Sequence, residues 1–149
     1  MIQSMKTKIL LSLAVALCAA ALVHAEKLVG GPAGGRLLET EPARTEFVVS
    51  AERKAEIRFH DAALKPLAPT TQVVTITAEP ASGRVKLELV KTEFGFATKE
   101  TLPAGEPYRV VVQVRATPEA KPQVFRIDLN LGNCAGCNRA EYACTCESH

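Results

Sequence analysis

Four cysteines with the spacing C-x2-C-x6-C-x-C lie close together near the end of the chain. Cys134 and Cys137 have the spacing of a metal knuckle, because Gly136 allows a tight turn that lets both thiolates face one cation. Cys144 and Cys146 project to the same side of an extended segment. Four sulfurs complete a closed tetrahedral site, so the sequence predicts that Cys134, Cys137, Cys144 and Cys146 bind one zinc or copper(I) ion per chain.

The same cysteines could instead form two disulfides, which is the default use of four cysteines in an exported protein. Three connectivities are possible. A bridge between Cys144 and Cys146 would close a very small, strained ring, so pairs of Cys134 with Cys144 or Cys146 are geometrically preferred. Thioredoxin-like chemistry is disfavoured because no strand-to-helix unit precedes Cys134, and an iron–sulfur cluster because the N-terminus lacks a twin arginine. Metal binding and disulfide bonding both stay open.

The other residues of the tail, residues 133–149, suit a spacer around a metal. The tail has too few apolar side chains to bury a core of its own, so a cross-link must order it. Arg139 lies between the two cysteine pairs, where a cation would offset the charge of four thiolates. Asn138 can adopt a turn conformation, residues 140–143 can form one short turn, and Tyr142 can pack back on the domain.

The N-terminus predicts a secretory signal peptide over residues 1–25. Lys6 and Lys8 precede the apolar run of residues 9–23, and small residues follow at the cleavage position. The run is shorter than the roughly 20 residues that a spanning helix needs, so we expect no membrane span after cleavage. Cys18 is discarded with the signal. The protein is therefore predicted to be periplasmic or secreted.

The charge balance argues against nucleic acid as a partner. The chain has 18 basic and 16 acidic residues, and removing Lys6 and Lys8 makes the two counts equal. Without a basic field there is nothing to attract nucleic acid or anionic lipid, which leaves a metal ion and an envelope protein as the expected partners. We expect a glycine-rich leader over residues 26–35, a β-sandwich over 36–132 and the cysteine-rich tail over 133–149.

Strict alternation of apolar and polar residues predicts an all-β domain. In Lys54–His60 the apolar residues Ala55, Ile57 and Phe59 alternate with four polar ones, and Arg84–Val90 has the same pattern. Seven or eight such strands separated by turn residues predict an immunoglobulin-like or fibronectin-like sandwich of two antiparallel sheets. The other predicted strands are residues 36–39, 46–50, 72–78, 94–98, 108–115 and 124–131.

No group of residues suggests catalysis, so the sequence predicts a non-enzymatic protein. Of the histidines after the signal, His60 is expected to be a solvated residue at a turn, and His149 a terminal residue outside the metal shell. The glycine-rich stretch Gly30–Gly35 precedes a strand rather than a helix, so it is expected to be a flexible leader and not a phosphate loop.

Two segments carry a resemblance to a known family. GPAGGRLLETEPARTEFVV (residues 31–49) and AEIRFHDAALKPL (55–67) resemble small exported β-sandwich domains that bacteria encode near heavy-metal efflux systems. The shared features are a glycine pair before the first strand, an acidic-aromatic-apolar strand and a D-x-x-x-K-P turn. Members often carry histidines where this chain has Ala33 and Arg44-Thr45, so the resemblance implies no metal ligand at those positions.

Together the cysteine tail and this resemblance predict an exported metal-binding protein that serves periplasmic metal handling or acts as an efflux accessory. The alternative is a structural or protein-interaction β-sandwich module whose C-terminal tail is stapled by disulfides. In that case the sandwich loops or an edge strand would contact the partner.

Overall fold

The structure, a computed structural model, describes residues 27–147 and contains eleven strands and one 3-10 helix, Glu141–Ala143, over that range. Within this range no helix is long and apolar enough to cross a membrane. The predicted signal peptide and His149 lie outside the described residues. The strands are β1 (Val29–Gly30), β2 (Arg36–Leu38), β3 (Arg44–Val49), β4 (Ala55–His60), β5 (Pro66–Leu67), β6 (Val73–Glu79), β7 (Val85–Leu87), β8 (Leu89–Thr92), β9 (Gly95–Thr98), β10 (Tyr108–Arg115) and β11 (Gln123–Leu129).

The strands form two antiparallel sheets. A seven-stranded sheet has the order β1-β2-β3-β4-β9-β8, with β5 also pairing with β4, and a four-stranded sheet has the order β11-β10-β6-β7. The prediction of an all-β fold with two antiparallel sheets is therefore confirmed. Its finer likeness to immunoglobulin or fibronectin domains stays a prediction.

The core contains the apolar residues that the alternation predicts. In β4, Ala55 and Ile57 are fully buried and Phe59 is 1% exposed, while the residues between them are partly exposed. Phe59 meets Phe96 edge to face, with ring centroids 6.1 Å apart. Burial of these side chains is the main stabilising contribution to the sandwich. The four-stranded sheet adds Ile76, Ala78, Val110, Val112, Ile127 and Leu129 to this core.

Arg84–Val90 is not the single strand that its alternation predicts. The segment divides into β7, which pairs with β6, and β8, which pairs with β9 in the other sheet. The chain therefore crosses between the sheets at Glu88. Leu87 is 8% exposed but Val85 is 42% exposed, so only part of the apolar face enters the core. A period of two shows which residues share a face, but not the sheet in which each half pairs.

His60 is buried, which contradicts the expectation of a solvated residue at a turn. It is 3% exposed, and its Nε2 lies 2.9 Å from the fully buried Glu46 carboxylate. The other carboxylate oxygen of Glu46 accepts hydrogen bonds from the backbone N–H groups of Ala33 and Gly35, at 3.0 and 2.9 Å. The glycine-rich segment thus covers the part of the polar face of β3 and β4 that contains Glu46 and His60, and buries both side chains.

The glycine-rich segment is ordered, in contrast to the flexible leader predicted for it. Val29 and Gly30 pair with Leu37 and Arg36 in a β-hairpin, the N-terminal hairpin (residues 29–38). A Cβ on Gly31 would lie 2.1 Å from the Glu46 carboxyl carbon, so only glycine lets the hairpin approach this buried carboxylate. The hairpin also contacts the cysteine-rich tail.

Candidate metal centre

The four cysteines belong to a small lobe, the cysteine lobe (residues 133–147), which begins just after β11. Asn133 and Ala140 form an antiparallel bridge. Inside it the Cys134 N–H donates to the Arg139 carbonyl at 2.8 Å, and the Asn138 N–H donates to the Cys134 carbonyl at 3.0 Å. Asn138 has a φ of 55°, which confirms the predicted turn conformation. These bonds fold the first cysteine pair into a tight hairpin with Cys137 near its tip.

Tyr142 anchors the lobe to the sandwich, as predicted. Its hydroxyl oxygen accepts the backbone N–H of Val49 at 2.9 Å. Its ring meets Phe47 edge to face, with centroids 5.5 Å apart and planes at 85°. Tyr142 and Ala143 both lie in the hydrophobic core, within the 3-10 helix that matches the predicted short turn. The second cysteine pair therefore starts from a fixed point, because Cys144 directly follows this helix.

The structure brings all four cysteine sulfurs within 4.8 Å of one another. The Sγ–Sγ distances are 2.9 Å for Cys134–Cys144, 3.6 Å for Cys137–Cys144 and 3.8 Å for Cys134–Cys146. A tetrahedral zinc site with Zn–S bonds of about 2.3 Å has sulfurs about 3.8 Å apart, whereas a disulfide bond is about 2.05 Å long. No disulfide bond joins any of these four cysteines. The cluster is therefore closer to a four-sulfur cage than to two disulfides.

Each cysteine pair has one buried and one half-buried cysteine. Cys134 and Cys144 are 5% and 2% exposed, while Cys137 and Cys146 lie at the rim of the lobe with intermediate exposure. Gly136 is required by space: a Cβ there would lie 2.7 Å from the Cys146 Sγ. Its backbone is not left-handed, so close packing of the second pair against the knuckle, rather than the turn conformation, explains the glycine.

Backbone N–H groups stabilise negative charge on the sulfurs, as expected for a knuckle. Hydrogen bonds from the backbone of Thr145 and of Arg139 lower the pKa of Cys137 to about 6. The Cys146 N–H donates to the Cys144 Sγ at 3.5 Å. The Cys144 thiol itself donates to Cys134, which raises the pKa of Cys144 to about 12. A bound metal ion would displace the thiol protons that these closely spaced sulfurs share.

The Arg139 side chain ties the lobe to the N-terminal hairpin. Its guanidinium donates to the Gly35 carbonyl at 3.3 Å and lies so close to Gly30 that a Cβ there would be 2.6 Å from it. Arg139 donates a hydrogen bond to Cys137 through its backbone N–H, whereas its guanidinium is directed to the N-terminal hairpin. A second link, the ion pair between Lys27 and Glu147 at 3.2 Å, is exposed and contributes little.

The sequence patterns did not predict the buried His60–Glu46 pair. Gly35 connects this pair to the cysteine lobe, because its N–H donates to Glu46 and its carbonyl accepts a hydrogen bond from Arg139. In the sequence, Glu46 precedes three apolar residues of a strand, and nothing in this pattern indicates that its carboxylate is buried. The turn that covers it belongs to the glycine-rich segment, and only the fold brings the two together. His60 Nδ1 is buried and has no hydrogen-bond partner among the described residues.

Comparison of the chain with models of protein families, with curated proteins and with solved structures found no match. The chemistry of the site therefore rests on its donor set and geometry. Four thiolates in a tetrahedral arrangement are typical of zinc or an iron–sulfur centre, and soft sulfur ligands also select copper(I). The cysteine lobe has the ligand number and the spacing to hold such an ion.

Proposed function

We propose that this protein is an exported, non-enzymatic metal-binding protein in which Cys134, Cys137, Cys144 and Cys146 bind one metal ion per chain. The observation that carries the proposal is the convergence of four cysteine sulfurs within 4.8 Å. Zinc fits a closed four-sulfur tetrahedron best, and copper(I) is the second candidate ion. The role of the protein would be periplasmic metal handling, as a metal carrier or an efflux accessory.

Energetics support a metal as the element that orders the cysteine lobe. Outside Tyr142 and Ala143, the lobe places only Cys134 and Cys144 in buried positions, so apolar burial alone stabilises it weakly. A structural zinc site contributes about 10–16 kcal/mol of apparent binding free energy in small peptides, against about 2–4 kcal/mol for one disulfide. Metal binding would therefore stabilise the closed lobe more strongly than either disulfide.

A handling role is supported by the position of the site. The centre lies in a lobe outside the two sheets, and Cys137 and Cys146 are only half-buried, so the ion would be nearer to solvent than to the apolar core. A metal that served only to hold the sandwich together would be expected between the sheets, where the apolar core lies.

The test is the metal and thiol content of the full chain purified from the periplasm under anaerobic conditions. We expect one zinc or copper ion per chain by elemental analysis, and four cysteines whose reaction with excess iodoacetamide becomes fast only after a chelator is added. The matched control is a chain with all four cysteines replaced by serine, which should fold and carry no metal. Metal-free wild-type protein with four immediately reactive thiols would overturn the proposal.

The second candidate function is a structural or interaction module with a disulfide-stapled tail. The Cys134–Cys144 sulfur distance of 2.9 Å favours it, because this is shorter than a tetrahedral zinc edge. In this case the purified chain would carry no metal, would be lighter by four hydrogens, and would react with iodoacetamide only after reduction. Its partner would be an envelope protein that contacts a loop or edge strand of the sandwich.

Export is a separate part of the proposal and has its own test. Expression of the full chain should give a periplasmic protein whose intact mass corresponds to a chain starting at Glu26. A mass that retains residues 1–25, or recovery only with washed membranes, would contradict it.

A further inference from the structure

The four sulfurs differ in how firmly the chain holds them. Cys134 lies in a hairpin that is closed by its own backbone. Its N–H donates to the Arg139 carbonyl, and its carbonyl accepts the Asn138 N–H. Cys144 follows the 3-10 helix that is anchored in the core, and its N–H donates to the Glu141 carbonyl at 3.2 Å. Both sulfurs are buried. These two cysteines form the fixed inner half of the centre.

The other two sulfurs lie where the chain is less constrained. Cys137 is near the tip of the knuckle hairpin, and the Cys146 N–H makes a long hydrogen bond of 3.5 Å to the Cys144 Sγ. Beyond Cys146 the described chain is held by the ion pair between Glu147 and Lys27, whose side chains are 85% and 76% exposed. Such a pair resists displacement weakly. Of the four cysteines, Cys137 and Cys146 are therefore the two that we expect to move outward more easily.

Resting on the proposed function, we propose that the metal leaves by ligand exchange in which Cys137 and Cys146 give way to two thiolates of an acceptor protein. Two metal–sulfur bonds to the rim cysteines break, and two bonds to the acceptor sulfurs form. The two protons of the acceptor thiols pass to the released cysteines, and the metal keeps its oxidation state. Cys134 and Cys144 hold the ion until the acceptor has two ligands in place. Their two bonds to the ion then break, two water molecules take the vacated positions on zinc, and two solvent protons neutralise the released thiolates.

The chemistry of the partner follows from the geometry of the rim. An acceptor must bring two sulfurs to one side of the ion, which a Cys-x-x-Cys or Cys-x-Cys segment does. A large chelator that needs six donor positions around the ion cannot use this side alone, because the inner half of the centre is buried in protein. The exchange should therefore favour a dithiol over a multidentate carboxylate chelator.

The first experiment maps the order of release in the zinc-loaded full chain. A limiting amount of iodoacetamide is added, and the labelled cysteines are identified by peptide mass spectrometry. Cys137 and Cys146 should be labelled before Cys134 and Cys144. Equal labelling of all four, or earlier labelling of the buried pair, would overturn the inference.

The second experiment measures zinc transfer to a synthetic peptide with a Cys-Gly-Ala-Cys dithiol, and to EDTA. The rate should rise in proportion to the concentration of the dithiol peptide, because the acceptor enters before the ion leaves. A rate that is independent of the peptide concentration would mean that the ion dissociates first, and would contradict the exchange.

Matched serine variants separate the rim from the inner half. Cys146→Ser should keep the ion and release it faster, whereas Cys144→Ser should weaken zinc binding further, with a difference between the two of about tenfold or more. Equal loss in both variants would overturn the inference. A wild-type chain that binds neither zinc nor copper(I) would refute the proposed function itself, whereas bound zinc with concentration-independent release would refute only the exchange.

Discussion

Replacement of Gly136 by alanine tests the packing of the two cysteine pairs against each other. The added Cβ would lie 2.7 Å from the Cys146 Sγ and 3.9 Å from the Cys134 Sγ. Ordinary contacts start at 3.4 Å, so one of the groups must move by about 0.7 Å, the difference between 2.7 and 3.4 Å. Metal–ligand distances tolerate only about ±0.2 Å. The variant should therefore lose the tetrahedral arrangement while its sandwich stays folded.

The expected size of the effect is a zinc affinity that is weaker by at least about 10–100-fold, the loss typical for disturbing the surroundings of a metal site. Affinity is measured by competition with a chromogenic zinc chelator, and folding by far-ultraviolet circular dichroism. Gly132→Ala is the matched control, because its Cβ would first meet the Asn130 side chain, at 3.0 Å, and has no sulfur among its three nearest atoms. Equal zinc affinity of Gly136→Ala and Gly132→Ala would refute the close packing of Cys146 on the knuckle.

Four further outcomes are expected. Tyr142→Phe should lower the free energy of unfolding by about 1–3 kcal/mol in urea titrations, because it leaves a partly buried N–H without its acceptor; no change would show that the hydroxyl anchors nothing. Glu46→Ala should cost about 3–5 kcal/mol, since it removes one partner of a buried pair with His60, and a thermal midpoint equal to that of the wild type would contradict this. Ile57→Asp should abolish the β-type circular dichroism, because an unpaired charge in the core costs several kcal/mol, about 4 or more; a folded variant would place this residue outside the core. Addition of a chelator to the zinc-loaded chain should expose the lobe to proteolysis but leave the sandwich intact, and equal digestion with and without chelator would show that metal does not order the lobe.

The strands with strict alternation could be predicted from the sequence because burial of one face dominates their energetics. Ile57 and Phe59 lie in the core as the pattern indicates. The division of Arg84–Val90 between two sheets could not be predicted, since the same alternation satisfies a pairing in either sheet. Strand pairing depends on partners distant in the chain, which local patterns do not specify.

The cysteine lobe could be predicted in more detail than the rest of the surface. The turn at Asn138 and the anchoring by Tyr142 follow from local chemistry and from the lack of other apolar residues in the tail. The role of Arg139 was different from the one expected, because its guanidinium contacts the N-terminal hairpin. The sequence does not predict the burial of His60 for the same reason: the N-terminal hairpin covers Glu46, the carboxylate partner of His60, and this packing involves residues distant in the chain.

The most direct test of the metal centre is X-ray absorption spectroscopy at the zinc edge of the purified, metal-loaded chain. Four sulfur ligands at about 2.3 Å, with no nitrogen or oxygen ligand, are the expected result, because four cysteines and no histidine of the described chain converge on one point. Fewer sulfur ligands completed by nitrogen or oxygen, or a chain that takes up no zinc until its cysteines are reduced, would contradict the four-sulfur site.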